Sequence, residues 1–369
     1  MAVMPDTRLP EAILAWFAAH SRDLPWRQDY APYHILLSEI MLQQTQMERV
    51  IGYFSRWIGR FPDISALAAA DEEEVLKQWE GLGYYPRARN LHQAARRIMR
   101  DHGGVIPADH AALLRLPGIG PYTAGAVMSL AFNQNYPLVD ANVERLFARL
   151  DDIDSPVREA GNQRFLWQRV RDLIPDGRAR HFNQALMELG ALVCTPRNPA
   201  CPVCPLSGHC KALRAGTVEC RPVRKEKQAV IRIEMVTGIL LHQGRIFIQK
   251  RPPAGVWANL WEFPGGQLEP GESPEEALVR EYREETEWEI RALEKLRVVR
   301  HSYTRYRVTL HGYCCLLVPG SGPPVLHAAQ ECRWVLPMEL DNFAFPTGHR
   351  QLIAAEMAQL VRRAAAPPP

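Results

Sequence analysis

Four cysteines in one short loop constrain the fold of this chain more than any other feature of its sequence. Cys194, Cys201, Cys204 and Cys210 follow the pattern Cys-x6-Cys-x2-Cys-x5-Cys, and the prolines between them prevent a regular helix. Four clustered thiolates bind either zinc or an iron–sulfur cluster. Zinc ribbons usually place their cysteines in two close pairs, so this uneven spacing favours a [4Fe–4S] cluster, in a role that is either structural or redox.

Hydrophobic periodicity divides the chain into a helical part and a mixed part. Helix-like apolar spacing recurs at 11–19, 33–57, 65–79, 87–101, 109–115, 121–132, 142–150, 158–173 and 178–193. Alternating apolar residues then predict a hairpin at 235–241 and 245–250, followed by a helix at 274–288 and strands near 296–300 and 306–318. We therefore predict a multidomain chain with an all-α domain over 1–215, a linker over 216–231, an α+β domain over 232–361 and a disordered tail over 362–369.

Composition excludes a membrane-spanning protein and indicates a weakly basic one. The 369 residues are 47% hydrophobic and carry a net charge of +3, and no apolar run is long enough to cross a bilayer. We expect a cytoplasmic monomer without membrane contacts. The segment 86–100 contains five arginines and no acid, which suits a phosphate backbone, although a solvated helix face explains it equally well.

A glycine-containing turn joins two of the predicted helices. The turn is Leu116-Pro-Gly-Ile-Gly120, and Pro121 suits the first turn of the second helix. Gly118 and Gly120 allow a phosphate oxygen to approach the backbone, where free N–H groups at the helix start can bind it. Plain helix capping is the alternative interpretation of such a turn.

Two carboxylates are candidates for acid–base chemistry. Asp140 lies at the start of a predicted helix, where it is either a reactive group or an N-cap. Glu39 lies in the very apolar segment 35–45, so desolvation should raise the pKa of its carboxyl. One protonated and one ionised carboxyl form the arrangement that cleaves glycosidic bonds. The alternative for Glu39 is a structural carboxyl hydrogen-bonded to Gln43 or to the backbone.

The glycine turn, the carboxylate and the cysteine loop, in this order, resemble the helix-hairpin-helix DNA glycosylases of the endonuclease III and MutY superfamily. Members that also cut the DNA strand carry a hairpin lysine that forms a Schiff base with the sugar. Tyr122 stands at that position here and cannot form an imine, which is similar to the MutY branch. The resemblance implies a nucleoid-associated, monofunctional enzyme of base excision repair. It would remove adenine mispaired with 8-oxoguanine or guanine in double-stranded DNA and would contain a [4Fe–4S] cluster.

The MutY resemblance also implies roles for individual residues. Glu39 protonates N7 of the adenine, Asp140 stabilises or transiently bonds the sugar, and Tyr122 and Asn142 orient the site. Tyr84 wedges beside the oxidised guanine while the adenine is flipped out, and its glycine and proline neighbours favour this exposed position over a core position. The other DNA-binding residues implied are Arg27, Leu42 and Gln44 near the lesion pair, and Gly118 and Gly120 in the hairpin.

The mixed domain contains a nearly complete Nudix box from Gly266 to Glu285. Glu281, Glu284 and Glu285 share one helix face and are candidate Mg²⁺ ligands. Glu287 replaces the glycine that usually stands near the end of the box, which puts the turn and the metal geometry in doubt. We expect a Nudix-like recognition domain with relict acids. The alternative is a pyrophosphohydrolase that acts on oxidised nucleoside triphosphates.

MutY proteins use a Phe-Ser-His segment of this second domain to recognise oxidised guanine. The matching segment here is Tyr303-Thr304-Arg305, which keeps the aromatic and the hydroxyl but replaces histidine by arginine. The resemblance implies that Tyr303 and Thr304 contact the lesion and that Arg305 contacts a phosphate.

Overall fold

The structure is a computed structural model that describes residues 8–223, 229–303 and 305–365. The chain divides into a helical unit, Met1–Ala70 with Arg89–Lys227, and a mixed unit, Asp71–Ala88 with Gln228–Pro369. The domain boundaries predicted from the sequence make each domain one continuous stretch of chain. In the structure, by contrast, residues 71–88 belong to the mixed unit although they lie early in the sequence.

Helices form where the apolar spacing predicts them, and the all-α prediction for the first part of the chain is confirmed. They are α1 (Arg8–His20), α2 (Pro32–Leu42), α3 (Met47–Arg60), α4 (Ile64–Ala69), α5 (Glu72–Trp79), α6 (Pro86–His102), α7 (His110–Leu114), α8 (Pro121–Ala126), α9 (Ala141–Leu150), α10 (Ala160–Leu173), α11 (Ala179–Leu192) and α12 (Lys211–Ala215). Helix α8 continues as a π-helical turn over Val127–Ala131.

Two segments predicted as single helices are each divided in two. Between α2 and α3 the chain turns at Gln44, whose φ of 58° lies in the left-handed region. Between α4 and α5 the backbone becomes extended at Ala70, and Asp71 occupies the N-cap position of α5. Neither break interrupts the apolar spacing, so periodicity alone predicted continuous helices over 33–57 and 65–79.

Helix α11 lies in the core of the helical unit. Its residues Phe182, Leu186 and Leu189 are fully buried and belong to one apolar cluster with Phe147 of α9 and Ile13 of α1. Close packing on α11 fixes the position of α9. The N-terminus of α9, where Asp140 lies, is therefore held beside α11.

The mixed unit is built on a six-stranded sheet. Its strands are β1 (Ile231–His242), β2 (Arg245–Lys250), β3 (Trp261–Glu262), β4 (Ile290–Tyr303), β5 (Tyr306–Leu317) and β6 (Glu331–Val335). The strand order is β3-β2-β1-β5-β4, and β6 also pairs with β2. Strands β1 and β5 are parallel, and the other paired strands are antiparallel.

Two helices cover the two faces of this sheet, α13 (Pro274–Thr286) and α14 (Thr347–Ala365). Phe247 of β2 belongs to the core that contains Tyr282 of α13, whereas the next residue, Ile248, belongs to the core that contains Leu352 of α14. This alternation is what a strand buried on both faces requires. The α+β prediction for the second part of the chain is confirmed.

The sequence analysis did not predict β3, β6 or α14. Helix α14 continues to Ala365, so residues 362–365 of the predicted disordered tail are helical, and 366–369 lie outside the described residues. The buried Leu352, Ile353 and Leu360 anchor this helix on the sheet, which explains why it extends beyond the predicted end.

The predicted linker over 216–231 begins in the helical unit. Within it, Val218–Cys220 forms a short 3₁₀ helix and Ile231 already starts β1, while 224–228 lie outside the described residues. Of the helices that the structure describes, none has the length and apolar character needed to cross a bilayer.

Candidate active site

Seven of the residues predicted for catalysis or lesion binding line one cleft of about 710 Å³ in the helical unit. They are Arg27, Glu39, Leu42, Gln44, Tyr122, Asp140 and Asn142. These positions come from α2, α8, α9 and the turns beside them, so the fold assembles the cleft from distant parts of the sequence. Gln44 lines the cleft at the break between α2 and α3.

Glu39 is the buried acid of the cleft, with 5% of its surface exposed. Tyr122 Oη donates a hydrogen bond to Glu39 Oε2 over 2.9 Å. Burial raises the pKa of Glu39 to about 7; the hydrogen bond from Tyr122 and the charge of Arg27 oppose this shift, and the charge of Asp140 adds to it. A substantial fraction of this carboxyl is therefore protonated near neutral pH and able to donate its proton.

Asp140 is both an N-cap and a cleft residue, so the two interpretations of its sequence position are compatible. Its Oδ1 accepts hydrogen bonds from the backbone N–H of Asn142 and Val143 over 2.9 and 2.8 Å, and its Oδ2 accepts one from Asn142 Nδ2 over 2.9 Å. Burial raises the pKa of Asp140, and these hydrogen bonds and the charge of Arg145 oppose that shift. The carboxylate is thus fixed in orientation beside the cleft.

Glu188 of α11 is a charged cleft residue that the sequence analysis missed. It is fully buried, and its carboxylate pairs with Arg22 Nε over 2.7 Å and with Arg27 Nη2 over 2.8 Å. A glutamate in the apolar helical segment 178–193 is the same signal that identified Glu39. Other cleft residues not singled out from the sequence include Trp26, Gln43, Gln184 and Met187.

The four cysteines of the predicted metal site line a single cavity of about 30 Å³ beside α9. Burial raises the pKa of Cys204 to about 11 and also raises that of Cys210, with a further increase from neighbouring cysteines. Within the described residues, no three His, Cys, Asp or Glu side chains are arranged to hold one metal ion. Donors that surround a cavity fit a multi-atom iron–sulfur cluster better than a single zinc ion.

Arg145 connects the cysteine loop to the cleft. Its Nε donates to the carbonyl oxygen of Cys194 over 2.6 Å, and its Nη2 donates to Asn142 Oδ1 over 2.8 Å and to the carbonyl oxygen of Gly190 over 2.7 Å. Since Asn142 in turn donates to Asp140, a continuous series of hydrogen bonds runs from the cysteine loop to the cleft carboxylate.

The glycine turn between α7 and α8 packs against α6. Gly118 has a φ of 73°, and a Cβ at this position would lie 2.6 Å from Asn90 Cβ. Gly120 has open space around it, and Pro121 begins α8 as predicted. Arg97 Nη1, in the arginine-rich segment, donates to the carbonyl oxygen of Arg115 over 2.9 Å, so that segment supports the turn structurally.

Tyr84 lies in the mixed unit, on a turn between α5 and α6. Its surface is 48% exposed, whereas the adjacent Tyr85 is buried. The φ values of Gly83 and Tyr84, 73° and 47°, are both in the left-handed region. The structure therefore presents Tyr84 to solvent, as the wedge interpretation requires.

The acids of the Nudix box are engaged with different partners. Arg280 Nη1 donates to Glu281 Oε1 over 3.0 Å and to Glu284 Oε2 over 3.4 Å. Glu285 Oε2 instead accepts hydrogen bonds from Gln249 Nε2 and from the backbone N–H of Gly265 over 3.0 and 3.1 Å. A Mg²⁺ site on these three residues stays a prediction.

The turn that ends the Nudix helix forms despite the missing glycine. Glu287 adopts a left-handed φ of 58° at the C-cap of α13, the conformation that glycine usually supplies. Among the lesion-binding predictions, Tyr303 is the last residue of β4, and Thr304 lies outside the described residues.

Three family models match successive parts of the chain. The model described as HhH-GPD superfamily base excision DNA repair protein covers residues 37–171. The iron–sulfur binding domain of endonuclease III covers 194–210, and a NUDIX domain covers 236–355. Glu39, Tyr122 and Asp140 of the cleft lie within the first match, and the cysteine loop coincides with the second. The match to the cysteine loop identifies the cofactor as a [4Fe–4S] cluster.

Similar proteins extend over nearly the whole chain. The adenine DNA glycosylase of Rattus norvegicus is 33% identical over 92% of this chain and 76% of its own length, and that of Homo sapiens is 32% identical over 94% and 74%. The adenine DNA glycosylase of Buchnera aphidicola subsp. Schizaphis graminum is 35% identical over 69% of this chain and 74% of its own. A solved thermostable thymine-DNA glycosylase matches 57% of this chain and 97% of its own, at 32% identity and a TM-score of 0.53.

Proposed function

Because this chain belongs to the adenine DNA glycosylase family, we propose that it hydrolyses the N-glycosidic bond of adenine in double-stranded DNA, as a step of base excision repair. The observation that carries this proposal is the grouping of Glu39, Tyr122 and Asp140 in one cleft, with a pKa of about 7 at Glu39. A buried acid poised near neutral pH beside a fixed carboxylate is the combination that glycosidic cleavage needs.

In this mechanism Glu39 donates its proton to the adenine ring, so that the base leaves as a neutral molecule. Asp140 stabilises the positive charge that develops on the sugar as the bond breaks. A water molecule then forms the new bond to the sugar carbon and loses a proton, which gives the abasic site. Tyr122 holds the Glu39 carboxyl through its hydrogen bond, and Asn142 holds Asp140. The [4Fe–4S] cluster, when bound, ties the four cysteines together and stabilises the loop that holds Arg145.

We propose that the enzyme is monofunctional and leaves an abasic site without cutting the strand. Support comes from Tyr122, which occupies the hairpin position of the strand-cutting lysine and presents a phenol to the cleft. Burial, and the charge and hydrogen bond of Glu39, raise the pKa of Tyr122 well above its ordinary value, so the phenol stays protonated. A phenol cannot form an imine with the sugar.

The test is single-turnover excision on duplexes in which adenine faces 8-oxoguanine or guanine, with and without alkali. We expect strand breaks only after alkali, and a loss of about 100-fold or more in rate for Glu39→Gln. Glu48→Gln is the matched control, because Glu48 lines the same cleft but is exposed. Absence of adenine excision by the wild-type protein, or normal excision by Glu39→Gln, would contradict the proposal.

We also propose that the substrate is adenine mispaired with 8-oxoguanine or guanine, and that Tyr303 and Thr304 contact the modified base. Support comes from the family resemblance of this segment and from the presence of the NUDIX domain. Thr304→Ala should reduce the ratio of the excision rates opposite 8-oxoguanine and opposite guanine. An equal loss on both substrates would assign Thr304 to general DNA binding instead.

A further inference from the structure

The turn that carries Tyr84, residues 81–84 and hereafter the wedge turn, has an unusual backbone. Gly81, Gly83 and Tyr84 all have positive φ values, of 94°, 73° and 47°. Such a turn is not stabilised by the regular hydrogen bonds of a helix or strand. Two backbone hydrogen bonds support it, from Leu82 N–H to the Trp79 carbonyl oxygen and from Arg87 N–H to the Tyr84 carbonyl oxygen, both over 3.0 Å, and side chains supply further ones.

Side chains on both sides of the wedge turn bind its backbone. Trp79 Nε1 donates to the carbonyl oxygen of Gly83 over 3.1 Å. Arg87 Nη2 donates to the carbonyl oxygens of Leu82 and Gly83 over 3.1 and 3.0 Å. The Arg87 guanidinium also lies 5.2 Å from the ring centre of Trp79 and 6.0 Å from that of Tyr84. The turn is thus fastened to the ends of α5 and α6.

Those helix ends are bound in turn to the Nudix-like part of the mixed unit. Tyr85 Oη donates to the carbonyl oxygen of Phe345 over 3.0 Å. Glu80 Oε1 accepts hydrogen bonds from the backbone N–H of Phe345 and from Arg350 Nε, both over 2.8 Å. Phe345 itself is fully buried, and Arg350 also donates to the carbonyl oxygen of Phe343 over 2.6 Å. Glu80 and Tyr85, the two residues that flank the wedge turn, therefore bind a buried segment of the C-terminal domain.

We propose that Phe345 and Arg350 form a clamp that positions Tyr84 for base extrusion, so that the C-terminal domain contributes to flipping the adenine as well as to reading its partner. The inference rests on the proposed function and on the wedge role that the family resemblance implies for Tyr84. Unstacking a base pair requires free energy, and a side chain that is inserted between bases stays in place only if its backbone is held. Glu80, Tyr85 and Arg350 are accordingly positioning residues that act through Tyr84.

Extrusion of the adenine and cleavage of its glycosidic bond depend on residues of different units. The clamp residues belong to the mixed unit, whereas Glu39, Tyr122 and Asp140 belong to the helical unit. Substitutions that remove hydrogen bonds of the clamp should lower the excision rate. The pH dependence of that rate, which Glu39 sets, should stay as in the wild type. A general loss of folding would lower both the rate and the amount of active enzyme.

The experiment compares single-turnover excision of adenine opposite 8-oxoguanine by the full-length wild type, Tyr85→Phe, Glu80→Gln and Arg350→Lys. We expect rates roughly three to ten times lower for the variants, the effect of losing one buried hydrogen bond. Tyr282→Phe is the matched control, because Tyr282 is also buried in the mixed unit and also donates to a backbone carbonyl, that of Gly238 over 2.7 Å. Urea unfolding and titration of active sites show whether each variant is folded.

A double-mutant cycle with Tyr84→Ala decides whether the clamp acts through the wedge. In that background the clamp substitutions should change the rate by less than about twofold. Excision rates of the clamp variants equal to that of Tyr282→Phe would overturn the inference. So would fold-losses in rate that are as large in the Tyr84→Ala background as in the wild type. Either result would leave the proposed glycosylase activity intact. No excision by the wild type would instead contradict the proposed function itself.

Discussion

The two carboxyls of the cleft differ in what surrounds them. Glu39 accepts a hydrogen bond from the neutral phenol of Tyr122 in a buried position, whereas Asp140 accepts three hydrogen bonds at the N-terminus of α9. A helix N-terminus and N–H donors favour an ionised carboxylate. Glu39 is thus the better proton donor, and Asp140 the better partner for a developing positive charge.

The pH at which the excision rate falls should depend on the hydrogen bond from Tyr122 to Glu39. The proton-donating form of Glu39 disappears as the pH rises through its pKa of about 7, so the wild-type rate should fall above that pH. The hydrogen bond from Tyr122 lowers this pKa, so Tyr122→Phe should move the fall in rate to higher pH. Single-turnover rates between pH 5 and pH 9 measure the midpoint. An unchanged midpoint, or a lower one, would show that Glu39 is not the titrating acid.

The sequence singled out residues whose type and local sequence carry the chemistry. Glu39 stood out as an acid in an apolar helix, and Asp140 as an acid at a helix start. Glu188 carries the same signal, but its partners Arg22 and Arg27 are about 160 residues away in sequence. A buried ion pair of that kind depends on packing between distant helices, which a single sequence does not display.

The helices that form the cleft meet at close backbone contacts. A Cβ at Gly190 of α11 would lie 2.6 Å from Asn142 Cβ and 2.9 Å from the Asn142 carbonyl oxygen. The missing side chain therefore allows α11 to approach the start of α9. Periodicity predicted both helices but not their separation, and it gave no indication of the break at Gln44, because a left-handed glutamine has no sequence signature comparable to glycine.

Gly190→Ala should destabilise the protein and impair excision together. Alanine normally stabilises a helix interior relative to glycine by about 0.5–1 kcal/mol, but here the added methyl group collides with Asn142 and should cost about 1–3 kcal/mol. Urea unfolding and single-turnover rates measure the two effects. Gly52→Ala in α3 is the control, because its added Cβ meets no atom within 4 Å apart from the adjacent backbone of its own helix, and it should be neutral or stabilising. Equal behaviour of the two variants would refute the close-contact explanation.

At the scale of the whole molecule, hydrogen bonds of Arg145 connect the cysteine loop to the cleft. The four cysteines contribute no atom to the cleft, yet the backbone of Cys194 holds the arginine that holds Asn142.

The order and class of the domains followed from the sequence, because each carries its own periodicity and motifs. The assignment of 71–88 to the mixed unit did not, since these residues contact partners far later in the sequence, such as Asn259 and Phe345.

Loss of the cluster should therefore reduce excision, because the cysteine loop would no longer hold Arg145 in place. Cys201→Ser is expected to bind fewer than the roughly four irons per chain of an intact cluster and to lose activity in proportion. Iron and sulfide analysis, run beside the excision assay, tests this. Cys220→Ser is the control, because Cys220 is exposed and does not line the cluster cavity. Full excision by an iron-free protein would disprove the connection.

The placement of residues 71–88 has a consequence for how this protein can change over generations. The partners of Glu80 and Tyr85 lie on the segment 343–350, and those of Glu72 and Glu73 include Asn259 and Trp261, so substitutions on one side alter the fit of the other. A C-terminal domain acquired from another gene would have to accept Glu80 and Tyr85 before it could support Tyr84. We therefore expect the two stretches to change together, and a recombination that separates them to weaken the hold on Tyr84 even when it cuts the chain between the domains.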